Sequence, residues 1–275
     1  MSIAAPRYGA TSVVRLGRVH RTLAIVRREL LRRAGLGTWL VVALTYLAVT
    51  LIITINTQFA SLVGTLTLST FETPYASPAW PFLMLIVATS VGAGSLAEDV
   101  GNRSITLYLS RPIRRIDYLA AKTAATGSWI VIAAVGPGLA GLAIVLVLGW
   151  APASLVLTGA GAFLAVGLLA SIFFTGLALA LSSLTTRSLY AGVGIFGVVL
   201  SLEIAAPIVS GLTGNTTVAY TSPITDILSV AQSAFGISGP YATDPLTSAA
   251  ILSFAGAFLA VFAGWRISRV EVVGE

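Results

Sequence analysis

Residues 98–122 read EDVGNRSITLYLSRPIRRIDYLAAK. These positions hold five of the 16 basic residues (Arg103, Arg111, Arg114, Arg115, Lys122) and three of the 10 acidic ones (Glu98, Asp99, Asp117). Long apolar runs lie on either side. Only 9% of the 275 residues are charged, 56% are apolar, and the mean hydropathy is +0.94. Soluble domains are about a quarter charged, so this chain lacks the polar surface to cover a soluble particle. The stretch therefore reads as a water-facing loop between membrane spans, and the fold class as all-α and polytopic.

Working outward, six apolar runs are long enough to cross a bilayer: about 38–55, 81–97, 121–150, 157–184, 190 to 206–211, and 248–265. The third contains Gly136-Pro137-Gly138, where proline removes a helical hydrogen bond and a kink is expected. Before the first span, residues 13–34 alternate as an amphipathic helix. Leu16, Val19, Leu23, Val26 and Leu30 form one stripe, and Arg21, Arg28 and Arg32 lie opposite. Such a helix is expected in the membrane surface, with its arginines towards headgroups and water. Between the fifth and sixth spans, residues 212–247 are polar, with a short helix expected over 224–235. The organisation expected is a lead-in and interface helix (1–37), one membrane domain (38–266) and a tail (267–275).

Charge sets the orientation. Eight arginines precede the first span and five basic residues lie between the second and third. One follows the fourth and two follow the sixth, which accounts for all 16. The three loops on the other side have none. Positive residues are retained in the cytoplasm, so the chain is expected in a cell membrane with both termini on the cytoplasmic side. The basic balance marks topology, and nucleic-acid binding is not expected.

Few residues could do chemistry. There is no cysteine and one histidine, His20, on the N-terminal helix. That leaves no set for zinc or for a Ser-His or Cys-His nucleophile. The only lysine, Lys122, follows Ala121, so there is no Gly-Lys-Ser/Thr phosphate loop. The chain is expected to be non-catalytic. Glu203 is the one acidic residue read as lying inside a span. Pro207 follows it by four positions and frees its carbonyl. Glu203 and Pro207 are read either as a polar point or gate on a path, or as a residue near the span's outer end. In the same span Gly197, Ser201 and Ala205 form a small-residue stripe suited to close helix packing, within one chain or between two. In the loop, Gly101-Asn102 signals a turn and Pro112 a helix restart. Apolar Ile105, Leu107, Leu109, Ile113 and Ile116 are mixed among the charges, the pattern of a docking element.

These features resemble the permease subunits of the type-2 ABC exporter superfamily. The resemblance is carried by Glu98, the Gly101-Asn102 turn, the apolar run from Ile105 to Leu109-Ser110, Pro112-Ile113-Arg114 and Lys122. It extends to the surface helix, the six spans and the outer segment. It departs at Asn102-Arg103, where the family has Thr, and at Tyr108, which interrupts the leucines. The resemblance implies a membrane subunit that pairs with a second copy and binds two copies of a cytoplasmic ATPase. That partner would supply ATP and magnesium, with no cofactor in this chain. Coupling would run through Glu98, Gly101, Arg103, Leu107, Leu109, Arg111, Pro112, Arg114 and Arg115. The other classes left open are an ATPase-independent carrier or channel, and a membrane scaffold.

Overall fold

The computed structural model describes residues 18–102, 114–239 and 243–269. The described chain is helical, with no strand, and six helices are long and apolar enough to cross a membrane. They are α2 (Leu36–Val63), α3 with α4 (Ala79–Gly92 and Gly94–Gly101), α5 (Arg115–Val147), α6 (Ala153–Leu184), α7 (Ser188–Thr213) and α9 (Pro245–Ser268). Two further helices do not span: α1 (Arg18–Arg33) before the first span, and α8 (Pro223–Ala234) before the last. The protein is a multi-pass membrane protein.

Several boundaries differ from those expected. The first span continues to Val63, eight residues past Ile55. Its polar residues are tolerated because hydroxyls return to the helix's own carbonyls, as Thr57 Oγ1 does to Ile53 O at 2.7 Å. The second span runs to Gly101, so Glu98 and Asp99 belong to a helix and Glu203 is not the one acidic residue within a span. The fifth span passes through Pro207 to Thr213. Helix α8 starts at Pro223 behind Ser222, whose side chain accepts from Thr225 N, an ordinary N-cap with proline in the first turn.

The third span remains helical through Pro137. Three hydroxyls from neighbouring segments cluster on its carbonyls there. Tyr46 donates to Ile132 O (3.1 Å), Thr50 to Pro137 O (3.2 Å) and Tyr75 to Ala134 O. None of the three bonds is to Ala133 O, the carbonyl that Pro137 leaves without its helical donor, so the hydroxyls brace the helix on either side of that point.

Helix α6 is the centre of the bundle and packs on α3, α4, α5, α7, α8 and α9. Its closest approach is to α9. A Cβ on Gly176 would lie 2.1 Å from Gly256 O, so only glycine lets the two backbones touch. Away from α1, the bundle is closed by an aromatic stack of Tyr75 on Trp80 (4.3 Å), then Phe163 and Phe235. The spans α2, α7 and α9 keep large exposed apolar faces, as surfaces turned to lipid or to another chain do. The end of the bundle that holds α1 is called the basic end below, and the opposite one the far end.

Candidate functional site

Loop 98–122 starts at the end of α4 and finishes inside α5, and charged side chains hold its two ends together. Lys122 Nζ lies 2.6 Å from Asp99 Oδ2 and 2.8 Å from Glu29 Oε1. These are close ion pairs rather than well-directed hydrogen bonds. Lys122 and Asp99 are each 1% exposed and Glu29 2%. Tyr118 donates to Asp99 Oδ2 at 2.6 Å. Arg32 reaches Asp99 Oδ1 at 3.1 Å, Glu98 Oε2 at 2.7 Å and Glu29 Oε1 at 3.6 Å. Arg33 lies 3.5 Å from Glu98 Oε1. Among the described residues, three carboxylates meet three cations in this cluster. Balance is required, because an unpaired buried charge costs several kcal/mol. Burial alone would lower the Arg32 guanidinium. The hydrogen bond to Asp99 and the charges of Glu29, Asp99 and Glu98 outweigh it and hold Arg32 above its ordinary value.

Helix α1 supplies three of these six side chains, and its backbone is fixed too. Trp129 Nε1 donates to Leu30 O at 3.3 Å, and Trp39 packs edge-on against Trp129. The face of α1 turned to the bundle carries Ile25 and Glu29, while Val19 and Leu23 of the apolar stripe stay exposed. Arg32 was expected to face headgroups and water. It stays partly exposed but turns to Glu98 and Asp99, because Lys122 and Arg33 alone would leave the three carboxylates Glu29, Glu98 and Asp99 one positive charge short.

Ser182 of α6 sets the geometry of α4. It donates to Ala93 O at 2.8 Å and accepts from Leu96 N and Ala97 N at 2.8 and 2.9 Å. The span changes from α3 to α4 at Ala93, and one hydroxyl satisfies the groups left at that junction. At the other end of α4, a Cβ on Gly101 would sit 2.4 Å from Thr186 O. The loop base thus rests directly on the turn between α6 and α7, and glycine is required there for contact.

Of the expected loop residues, Glu98 lies in the ion cluster and Gly101 on Thr186. Arg114 is exposed just before α5. Arg115 donates to Ser268 O, which ties the start of α5 to the end of α9. Arg103, Leu107, Leu109, Arg111 and Pro112 lie outside the described residues.

A cavity of about 700 Å³ opens beside this cluster, between α3–α4 and α7. Arg33 and Glu98 line its polar end, and Ala93, Val193 and Phe196 are among its apolar walls. Glu203 and Pro207 are not on this cavity. Towards the far end, Glu203 Oε2 accepts a hydrogen bond from Ser222, which joins α7 to the start of α8. Gly197, Ser201 and Ala205 are exposed, and a Cβ on Gly197 would meet nothing within 4 Å. The stripe is therefore not used for packing within one chain, although Gly197 touches the cavity. Among the described residues no three His, Asp or Glu side chains converge to hold a metal ion.

Six spans, a basic N-terminal helix and a charged loop locked to the second and third spans form a transporter-type membrane domain. The family described as ABC-2 family transporter protein matches the chain over residues 32–263. The chain belongs to that family. A comparison with curated proteins finds no match. The match begins at Arg32, the residue that bridges α1 to the loop, and covers the cluster residues from Arg32 onward, the cavity and the first five spans of this ABC-2 family member, ending inside the sixth. Glu29 falls just outside it.

The sequence reading missed Glu29 and Ser182. Glu29 is the only acidic residue before Glu72 and sits among arginines. That isolation, with Lys122 as the only lysine, was the available signal. Ser182 had none, because serines are common in these spans.

Proposed function

We propose that this ABC-2 family chain is the membrane subunit of an ATP-driven exporter. In this reading two copies pair, a separate cytoplasmic ATPase binds the 98–122 loop of each, and the basic end faces the cytoplasm. The observation that supports it best is the Glu29–Lys122–Asp99–Arg32 cluster. It fastens both ends of the loop to α1, α4 and α5, so a push on the loop is delivered to the second and third spans as one rigid unit. A loop that only linked two helices would not need buried ion pairs at its root.

The cavity between α3–α4 and α7 serves as the inner part of the path in this reading. The exposed stripe Gly197–Ser201–Ala205 is where the second copy packs, and Glu203 with Pro207 forms the outer gate. Transport is driven only if ATP binding to the partner favours one arrangement of the two membrane subunits over the other.

The test is co-purification with the partner ATPase and measurement of its stimulation. Arg114→Glu with Arg115→Glu is expected to abolish both. Retained binding overturns the proposed docking surface. Substrate flux by the chain alone in liposomes, without an ATPase, overturns the ATP-driven reading. For the gate, unchanged transport and stability in Glu203→Gln removes Glu203 from the path.

A further inference from the structure

A second, smaller cavity lies towards the far end, away from the loop and the ion cluster. It measures about 320 Å³ and is lined by α6, α7, α8 and α9 together with residues 220–221. Its walls are largely apolar, with the hydroxyl-bearing Tyr220 and Thr221 and a single charged group. Asp226, in the first turns of α8, lines it and is 1% exposed. Asp226 Oδ1 accepts from Ser248 of α9 at 2.6 Å. Its Oδ2 is buried and has no hydrogen-bond partner among the described residues. Three aromatic rings share the lining: Phe173 of α6, Tyr220, and Phe258 of α9.

The charge around this carboxyl is one-sided. Between Arg187 and Arg266 the chain has no Lys, Arg or His. Helix α6 has no titratable side chain at all. On α7, Glu203 is bonded to Ser222 at the start of α8, and on α9 the nearest acid is the N-cap Asp244, bonded to Thr247. Tyr220 accepts from Asp244 N at 2.8 Å. Every ionisable neighbour is therefore an acid or a phenol. A buried carboxylate with no counter-charge is costly, and burial raises the Asp226 carboxyl to about 6 against the opposing Ser248 bond.

We propose that this cavity is a binding site for a small organic cation, an ammonium group carried on an apolar body, with Asp226 as its counter-ion. Ring faces of Phe, Tyr and Trp attract such a cation, and three rings line this cavity. A metal ion is a poor fit. Sodium, magnesium or calcium needs a shell of oxygens, and the lining offers few beyond one carboxyl and the hydroxyls of Tyr220 and Thr221. The site is independent of the ATPase and can be tested on the chain alone.

The probe is benzyltrimethylammonium, with neutral neopentylbenzene as its isostere, titrated by equilibrium dialysis on the purified full chain in lipid-free detergent. The expected result is saturable binding of the cation at pH 8 and at least about tenfold weaker binding of the isostere. Binding should weaken as pH falls from 8 to 5, because the carboxyl protonates. Asp226→Asn should weaken the cation about tenfold and flatten that pH dependence. Phe258→Leu, at a ring exposed on its other side, should weaken it about threefold with the pH dependence kept. Absence of saturable binding, equal binding of the isostere, or unchanged binding in Asp226→Asn overturns the proposal. If Asp226→Asn does not fold, the wild-type pH series and the isostere decide alone.

Discussion

Lys122 Nζ lies 2.8 Å from Glu29 Oε1, and both side chains are buried. The contact joins a helix that precedes the first span to the start of the third. Removing one partner leaves the other charged in a place without water. Lys122→Met should therefore destabilise the protein by about 3–5 kcal/mol, read as a large fall in thermal midpoint in detergent. Glu29→Gln added to Lys122→Met should restore part of the loss, since Asp99 keeps Arg32 and Tyr118. A double mutant no more stable than Lys122→Met means the pair does not couple α1 to the loop.

Ser182 stands to the Ala93 junction as Lys122 stands to the loop root. It is fully buried and serves one carbonyl and two amides of a neighbouring span. Ser182→Ala removes a single oxygen and takes one partner from each of these groups, at a cost of about 1–3 kcal/mol. The local signature is faster hydrogen exchange at the Leu96 and Ala97 amides, with the amides of α9 unchanged. Exchange that is unaltered at Leu96 and Ala97 contradicts the assignment.

The spans were legible in the sequence because lipid imposes one rule along the whole chain: about twenty apolar residues and internally satisfied backbone. Their ends were less legible. Thr57 and Ser61 read as loop, yet each hydroxyl bonds back to its own helix, so polarity there did not signal a helix end. The loop 98–122 was visible from its charges, but its root was not. Glu29, Asp99 and Lys122 meet through tertiary packing, and although Glu29 is a lone acid among arginines and Lys122 the only lysine, nothing in their spacing says that they meet. Asp226 was hidden for the opposite reason. An aspartate in the first turns of a short polar-segment helix has an ordinary local explanation, and only the packing of α6, α7 and α9 around it buries the carboxyl.

That burial fixes the sign of a pH effect. The Asp226 carboxyl is raised from its ordinary 3.8 to about 6 in the fold. Between these values the folded state holds a proton that the unfolded state has released. The stability Asp226 contributes is therefore fully present below about pH 4 and is lost as pH rises through 6. Compared at each pH, Asp226→Asn should match the wild type near pH 4 and melt higher at pH 8. Other acids move in both directions, so the difference between the two proteins, not either curve alone, is the measurement. A difference that does not change with pH contradicts the raised carboxyl.

The stripe on α7 yields a prediction that needs no ligand and no ATPase. Gly197, Ser201 and Ala205 are exposed in one chain, so substitution there should leave the fold intact. The chain contains no cysteine, so each single cysteine introduced is the only thiol present. A disulfide forms only when two Cα atoms come within about 7 Å. If the stripe packs against its own copy across a two-fold axis, the position nearest the axis must meet that limit. Gly197→Cys, Ser201→Cys and Ala205→Cys are thus each placed in membranes and oxidised. At least one is expected to give a band of doubled mass that reductant removes. Phe254→Cys, on the exposed face of α9, should give none. If none of the three cross-links, the stripe faces lipid and the two copies must pair through another face, with the exposed surface of α2 the next to test.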